Sequence, residues 1–84
     1  MIPLYGFLAG DCIGLVVLAQ PSDTAADLCA KLQAAAALRV RPLEQPVLIH
    51  EGREVPSQTT VGELRLGPLE RFDVVELASI LAPR

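Results

Sequence analysis

Pro21-Ser22-Asp23-Thr24, followed by Ala25 to Leu38, constrains this chain more than any other stretch. Thr24 can act as an N-cap, its hydroxyl accepting from a free backbone N–H of the first turn. Asp27 stands three residues on, the position of a capping box, and places negative charge where the helix dipole favours it. The residues that follow are strong helix formers. Leu28 and Leu32, with Ala25, Cys29 and Ala35 or Ala36 beside them, recur at helical spacing and make one apolar stripe. An amphipathic helix over residues 25–38 needs a surface to pack on, and the rest of the chain reads as strands that supply it.

Eighty-four residues make a single domain over residues 1–84, with a core of about residues 2–77 and a short tail, 78–84. Such a chain buries roughly 60 to 65% of its unfolded surface, which leaves no room for a deep enclosed active site. Yet 51% of it is hydrophobic. Apolar residues left outside so small a core point to a partner. Net charge is −3, Lys31 is the only lysine and the arginines are scattered, a pattern that argues against nucleic acid. No apolar run has the length of a membrane span and no basic segment precedes the apolar N-terminus, so the expected location is the cytoplasm. Cys12 and Cys29 lack metal-binding spacing and read as buried or half-buried thiols in a reducing compartment.

In chain order, Ile2–Leu8 and Cys12–Ala19 flank the turn signal Ala9-Gly10-Asp11 and predict a hairpin. The helix ends at Arg39-Val40-Arg41-Pro42, where Pro42 forbids continuation. Val47–His50 and Arg53–Val55 flank Glu51-Gly52 and predict a second hairpin. Val61–Leu66 suits a short helical turn, broken by Gly67-Pro68, and Phe72–Leu77 is the last strand. The order β-β-α-β-β-β gives an α+β fold, one mixed sheet with one helix across one face.

In this order and spacing the segments Pro21-Ser22-Asp23-Thr24, Ala30-Lys31-Leu32-Gln33, Leu48 to Val55 and Thr59-Thr60-Val61 resemble the ubiquitin-like β-grasp family. The resemblance implies the fold and not the conjugation chemistry. Conjugation and sulfur-carrier relatives need a terminal diglycine; this sequence ends Leu81-Ala82-Pro83-Arg84 and has no Gly-Gly pair. The opening Ile2 to Leu8, the run Asp11 to Ala19, Leu38 to Pro42 and Gly67 to Val75 are similar to the gamma (system B) subunit of bacterial toluene and aromatic multicomponent monooxygenases. That resemblance implies an accessory subunit that binds the large and small hydroxylase subunits. In such systems the large subunit carries a carboxylate-bridged di-iron centre. Electrons reach it from an NADH-dependent reductase through a Rieske-type ferredoxin, and an effector protein regulates it.

The residue inventory points the same way. A di-iron site of that kind needs two Glu-x-x-His pairs. This chain has one histidine, His50, with Val47 three residues before it, so no metal or other cofactor is expected here. No Ser or Cys triad partner and no Gly-rich phosphate loop accompanies it, and no catalytic residue is assigned. Glu51, Glu54, Glu63, Glu70, Asp73 and Glu76 read as a solvated or partner-facing acidic surface.

Period two supplies the sharper expectation. With Tyr5, Phe7, Leu15, Val17, Leu48, Phe72 and Val74 turned toward the helix, their neighbours Leu4, Leu8, Val16, Leu18, Ile49 and Val75 form an apolar strip on the other face. Ile80 and Leu81 of the tail extend it. Sheet faces open to water are polar, so this strip is the expected partner-binding surface. The competing reading is a free ubiquitin-like adaptor that binds several partners without conjugation.

Overall fold

The computed structural model describes residues 1–81, Leu81 by its backbone alone. Five strands form one sheet in the order β2-β1-β5-β3-β4. They are β1 (Ile2–Leu8), β2 (Leu15–Ala19), β3 (Pro46–His50), β4 (Arg53–Val55) and β5 (Arg71–Glu76). The helices are α1 (Ala25–Ala36), α2 (Val61–Leu64) and α3 (Leu77–Leu81). The central pair β1·β5 is parallel and the remaining pairs are antiparallel. Helix α1 crosses one face of this mixed sheet.

The helix begins where its cap directs. Thr24 Oγ1 accepts from the Asp27 N–H at 3.2 Å, and the Asp27 carboxylate accepts from the Thr24 N–H at 2.9 Å. Both halves of the capping box are made, Asp serving as well as the usual Glu. The helix ends at Ala36, two residues before the expected Leu38. Ala36 is the last buried residue of the stripe, whereas Leu38 is fully exposed. Turning there brings Val40 and Leu43 back against the core.

Strand β2 starts at Leu15, not at Cys12. Asp11 holds the intervening residues in a turn: its N–H donates to the Leu8 carbonyl at 3.0 Å and its carboxylate takes a two-point contact from Arg39. Cys12 is therefore exposed in this turn, contrary to expectation, while Cys29 lies buried in α1 and both thiols are free. Burial pushes the Cys29 thiol up to about 11, which keeps it protonated and inert. The segment after β5, expected as a plain tail, continues as α3, fastened by the Leu77 N–H to the Gln45 carbonyl.

Register decides the two faces. Leu4 stands opposite Val17 and Gly6 opposite Leu15 in the β1·β2 ladder, so these residues share a face. That face carries the core: Leu4, Leu8 and Val17 of the hairpin, Leu28 and Leu32 of α1, then Leu48, Phe72 and Val74. The expected phase of β1 is therefore wrong by one residue. Leu4 and Leu8 are 0% and 4% exposed and cannot belong to a docking surface, whereas Tyr5 and Phe7 point outward. The physical reason lies at Gly6. A Cβ there would stand 2.8 Å from Phe72 Cζ and 2.9 Å from Leu32 Cδ1. The inward centre of β1 is filled by side chains from α1 and β5, so the strand contributes a glycine inward and aromatics outward.

Candidate interaction face

The sheet face opposite α1 has a traceable order. Strand β2 contributes Val16 and Leu18, and β1 contributes Tyr5 and Phe7. Arg71, Asp73 and Val75 follow on β5, then Val47 and Ile49 on β3. Each alternates with a buried core residue, so the pleat itself turns them outward. Val16 is 58% and Leu18 53% exposed, and Ile49 and Val75 are half-buried. Of the expected strip, Val16, Leu18, Ile49 and Val75 thus share this face. Ile80 is exposed on α3, which packs on β5 at the end of the sheet. The Leu81 side chain lies outside the described residues.

At the centre stands a cluster that periodicity alone assigned to the core. The Tyr5 and Phe7 rings lie 4.8 Å apart at 56°, a tilted aromatic pair. The Arg71 guanidinium sits 4.0 Å from the Phe7 ring centroid, within cation–π range, and also bonds Asp73 at 3.0 Å. Gly14 backs the same rings: a Cβ there would stand 2.6 Å from Tyr5 Cε1 and 2.7 Å from Phe7 Cζ. The loop before β2 therefore folds against the aromatic pair, and only a glycine lets it do so. The signal for this cluster was present in the sequence as Gly6 and Gly14, glycines inside apparent strands, each marking a close approach.

The open edge of the sheet beside this face is partly closed. Pro3 has no N–H and stands opposite Leu18, so the Leu18 backbone groups point away from β1 to the free side. Lys31 Nζ reaches across from α1 to donate to the Leu18 carbonyl at 2.9 Å and to Asp23 Oδ2 at 2.6 Å. A lysine that occupies an edge carbonyl disfavours pairing with another strand there, so side chains rather than this edge are the available contact.

Glu51, Glu54 and Glu63 are exposed, as expected, but several of the acidic side chains also serve the fold. Glu63 completes a second capping box with Thr60 on α2, and Glu76 accepts the N–H groups of Glu44 and Gln45. Glu70 accepts from the Gly67 N–H at 3.0 Å and contacts His50 Nε2 at 2.5 Å. His50 thus fastens the end of β3 to the loop that leads into β5. Among the described residues no group of three or more His, Cys, Asp or Glu side chains could hold a metal ion. No helix of the described residues is long and apolar enough to cross a membrane.

These contacts have a pH signature. The Gly67 N–H and then His50 hold the Glu70 carboxyl below its ordinary value of 4.5. Arg39 does the same for Asp11, and Lys31 for Asp23, below an ordinary 3.8. A carboxyl whose folded value is depressed stabilises the fold above its unfolded value, and the contribution disappears as pH falls through the folded value. The urea midpoint is expected to be flat above about pH 5 and to drop below about pH 4. Asp23→Asn and Glu70→Gln should lower the midpoint at neutral pH and flatten the acid limb. An unchanged acid limb in both variants contradicts this assignment.

A helix across a five-stranded mixed sheet, with a parallel central pair, defines a ubiquitin-like β-grasp protein. Among solved structures, ubiquitin of Caldiarchaeum subterraneum aligns with a TM-score of 0.72 and 18% identity, over 89% of this chain and 91% of its own. A chain of the complex of AtBAG1 with HSP70 aligns at 0.74 and 12% identity, over 96% of this chain and 44% of its own. A chain of the toluene 4-monooxygenase HD complex with the inhibitor 4-bromobenzoate reaches 0.82 and 23% identity, over 89% of this chain and 96% of its own. Comparison with curated proteins gives no match. The sequence profile of toluene-4-monooxygenase system protein B (TmoB) matches residues 1–75. The chain belongs to that family, and is an accessory component of a monooxygenase system.

Proposed function

We propose that this protein is a non-catalytic gamma subunit that packs on the large subunit of a di-iron aromatic hydroxylase through its outer sheet face. The observation that carries the reading is the apolar outer face around Tyr5, Phe7, Val16, Leu18, Ile49 and Val75, presented by a chain of the system protein B family. A helix covers the other face, so this one needs a partner. Interface centres are enriched in Tyr, Phe and Arg, the residue types of its middle. The likeness to a chain of the toluene 4-monooxygenase HD complex supports the choice of partner.

In this reading the chain carries no cofactor. The di-iron centre that activates oxygen belongs to the large subunit, which also contacts the small subunit, and electrons arrive from an NADH-dependent reductase through a Rieske-type ferredoxin. An effector protein regulates that chemistry, and the whole assembly is cytoplasmic. The gamma subunit contributes surface and rigidity: a domain whose helix and sheet fold independently of the substrate pocket, held on the hydroxylase exterior.

Co-expression tests the reading. The protein should purify in a fixed ratio with the hydroxylase subunits encoded beside it. Val16→Asp combined with Ile49→Asp should abolish that assembly, because a docked face cannot accept two unpaired carboxylates. Both positions face outward, so the circular dichroism spectrum and thermal midpoint of the isolated domain should be retained. A folded double variant that still assembles removes this face from the interface. A wild-type protein that never co-purifies with a hydroxylase defeats the subunit assignment and leaves the free adaptor.

A further inference from the structure

Gly67-Pro68-Leu69-Glu70 forms a turn closed by the Glu70 N–H to the Gly67 carbonyl at 3.2 Å. Proline stands second, and the third residue has a positive φ of 61°. This is the form of a type II turn, whose third position calls for glycine or asparagine because a Cβ is crowded there. Here it is a leucine. A bulky residue in this region is an outlier, and such outliers persist where the surroundings enforce them.

The side chain does not join the core in return for that strain. Leu69 is 61% exposed and is not among the apolar residues packed on the core. The other two positive-φ residues outside glycine among the described residues, Glu51 and Arg65, are different. Glu51 shares the hairpin turn with Gly52, and Arg65 is the left-handed cap of α2; both carry polar side chains that water accepts. Leu69 combines strain with an apolar side chain in water.

The turn that displays it is firmly held. The Leu69 N–H donates to the Pro3 carbonyl at 2.6 Å, and the Tyr5 N–H donates to the Glu70 carbonyl at 3.0 Å. The Glu70 carboxylate is bound on both sides, by Gly67 and by His50. Leu69 is therefore presented beside Pro3, and Pro3 stands opposite Leu18 while Tyr5 stands opposite Val16. Leu69 thus stands on the β5 side of Pro3, across β1 from the exposed Leu18 and Val16 of β2, and all three are exposed apolar side chains, as is Tyr5. An anchor fixed in place before contact loses little freedom on docking.

We infer that Leu69 is a preorganised anchor for the hydroxylase, inserted into an apolar depression on that subunit where β1 and β5 begin, at the end of the interface. The inference rests on the proposed subunit role and names a contact within it that neither periodicity nor burial assigns. It predicts that fold and assembly respond with opposite signs. Leu69→Asn and Leu69→Gly both place a residue suited to the turn and remove the anchor.

The test measures two quantities for each variant: the thermal midpoint of the isolated domain, and affinity for the hydroxylase lacking its own gamma subunit. The midpoint should be unchanged or higher, and affinity should fall at least about tenfold, the scale of an anchor residue. Unchanged affinity in both variants overturns the inference. So does a lowered midpoint in both, which would make Leu69 a residue of the fold. Sedimentation covers the other occupant: if the variants lose only a self-association seen in the wild type, Leu69 belongs to contacts between copies of this chain and the inference fails. The Val16→Asp, Ile49→Asp protein separates the two levels. If it loses assembly while the Leu69 variants keep it, the anchor fails and the docking face stands. If the wild type itself shows no affinity, both fail together.

Discussion

Phe72→Ala should cost about 3–5 kcal/mol of folding stability, the range for deleting a buried aromatic ring. Phe72 is 1% exposed and lies on β5, the strand that joins the two halves of the sheet. On one side β5 runs parallel to β1, and on the other antiparallel to β3. The ring fills the space under Gly6 and reaches the position a Cβ would take there. Its removal leaves a void at the junction of both hairpins and α1, where the main chain is held by ladders on either side and cannot collapse to fill it. A domain of this length holds about 4–13 kcal/mol in all. The variant should therefore lose roughly a quarter or more of its stability, read as a large fall in the urea midpoint. A loss below about 1 kcal/mol would show that the centre of the core lies elsewhere.

Gly6→Val should be comparably damaging for the opposite reason. The first carbon of any side chain would overlap Phe72 Cζ and Leu32 Cδ1 at 2.8 and 2.9 Å. Overpacking costs about 1–3 kcal/mol where neighbours can shift, and valine adds two further methyl groups at a point where β1 is bonded on both edges. For a domain of this size each 1 kcal/mol lowers the thermal midpoint by roughly 4–8 °C. Gly6→Ala should show the same effect in smaller measure. Its cost should shrink in a Leu32→Val background, where both crowding δ-methyl groups are withdrawn. Such coupling is the mark of direct contact, and additive losses in that double-mutant cycle would place Gly6 away from Leu32.

These two residues also show where the sequence stopped speaking. Strand positions were legible because β-branched and apolar runs are bounded by Gly, Pro and Asp. The starts of α1 and α2 were legible because Thr24 with Asp27, and Thr60 with Glu63, satisfy orphan N–H groups locally. The outer partners of β1 were not. In Ile2 to Leu8 both alternate sets are apolar, Leu4 and Leu8 on one side and Tyr5 and Phe7 on the other. Period two fixes which residues share a face but not which face is covered. The expected phase turned Tyr5 and Phe7 inward; the ladder with Val17 and the ring of Phe72 put Leu4 and Leu8 there instead.

The make-up of the outer sheet face was half legible for the same reason. Val16, Leu18, Ile49 and Val75 could be assigned because their neighbours Val17, Leu48 and Val74 are apolar residues of the other face. The aromatic pair, its Arg71 cap and the Leu69 turn could not, since each depends on residues far apart in the chain. The acidic residues follow the same division: Glu63 was readable three residues from Thr60, while Glu70 with His50 and Glu76 with Glu44 and Gln45 required the sheet to form first.

The sequence by itself determined the β-grasp order of elements, the helix caps, the absence of a Glu-x-x-His pair and an excess of apolar residues for one small core. Those properties are local or compositional, so they survive without coordinates. Only the tertiary structure decided which side of β1 faces α1 and where the strained Leu69 is displayed. Both depend on what fills the space across the sheet, and in this molecule the ring of Phe72 fills it, leaving room for a glycine within and sending the aromatics out.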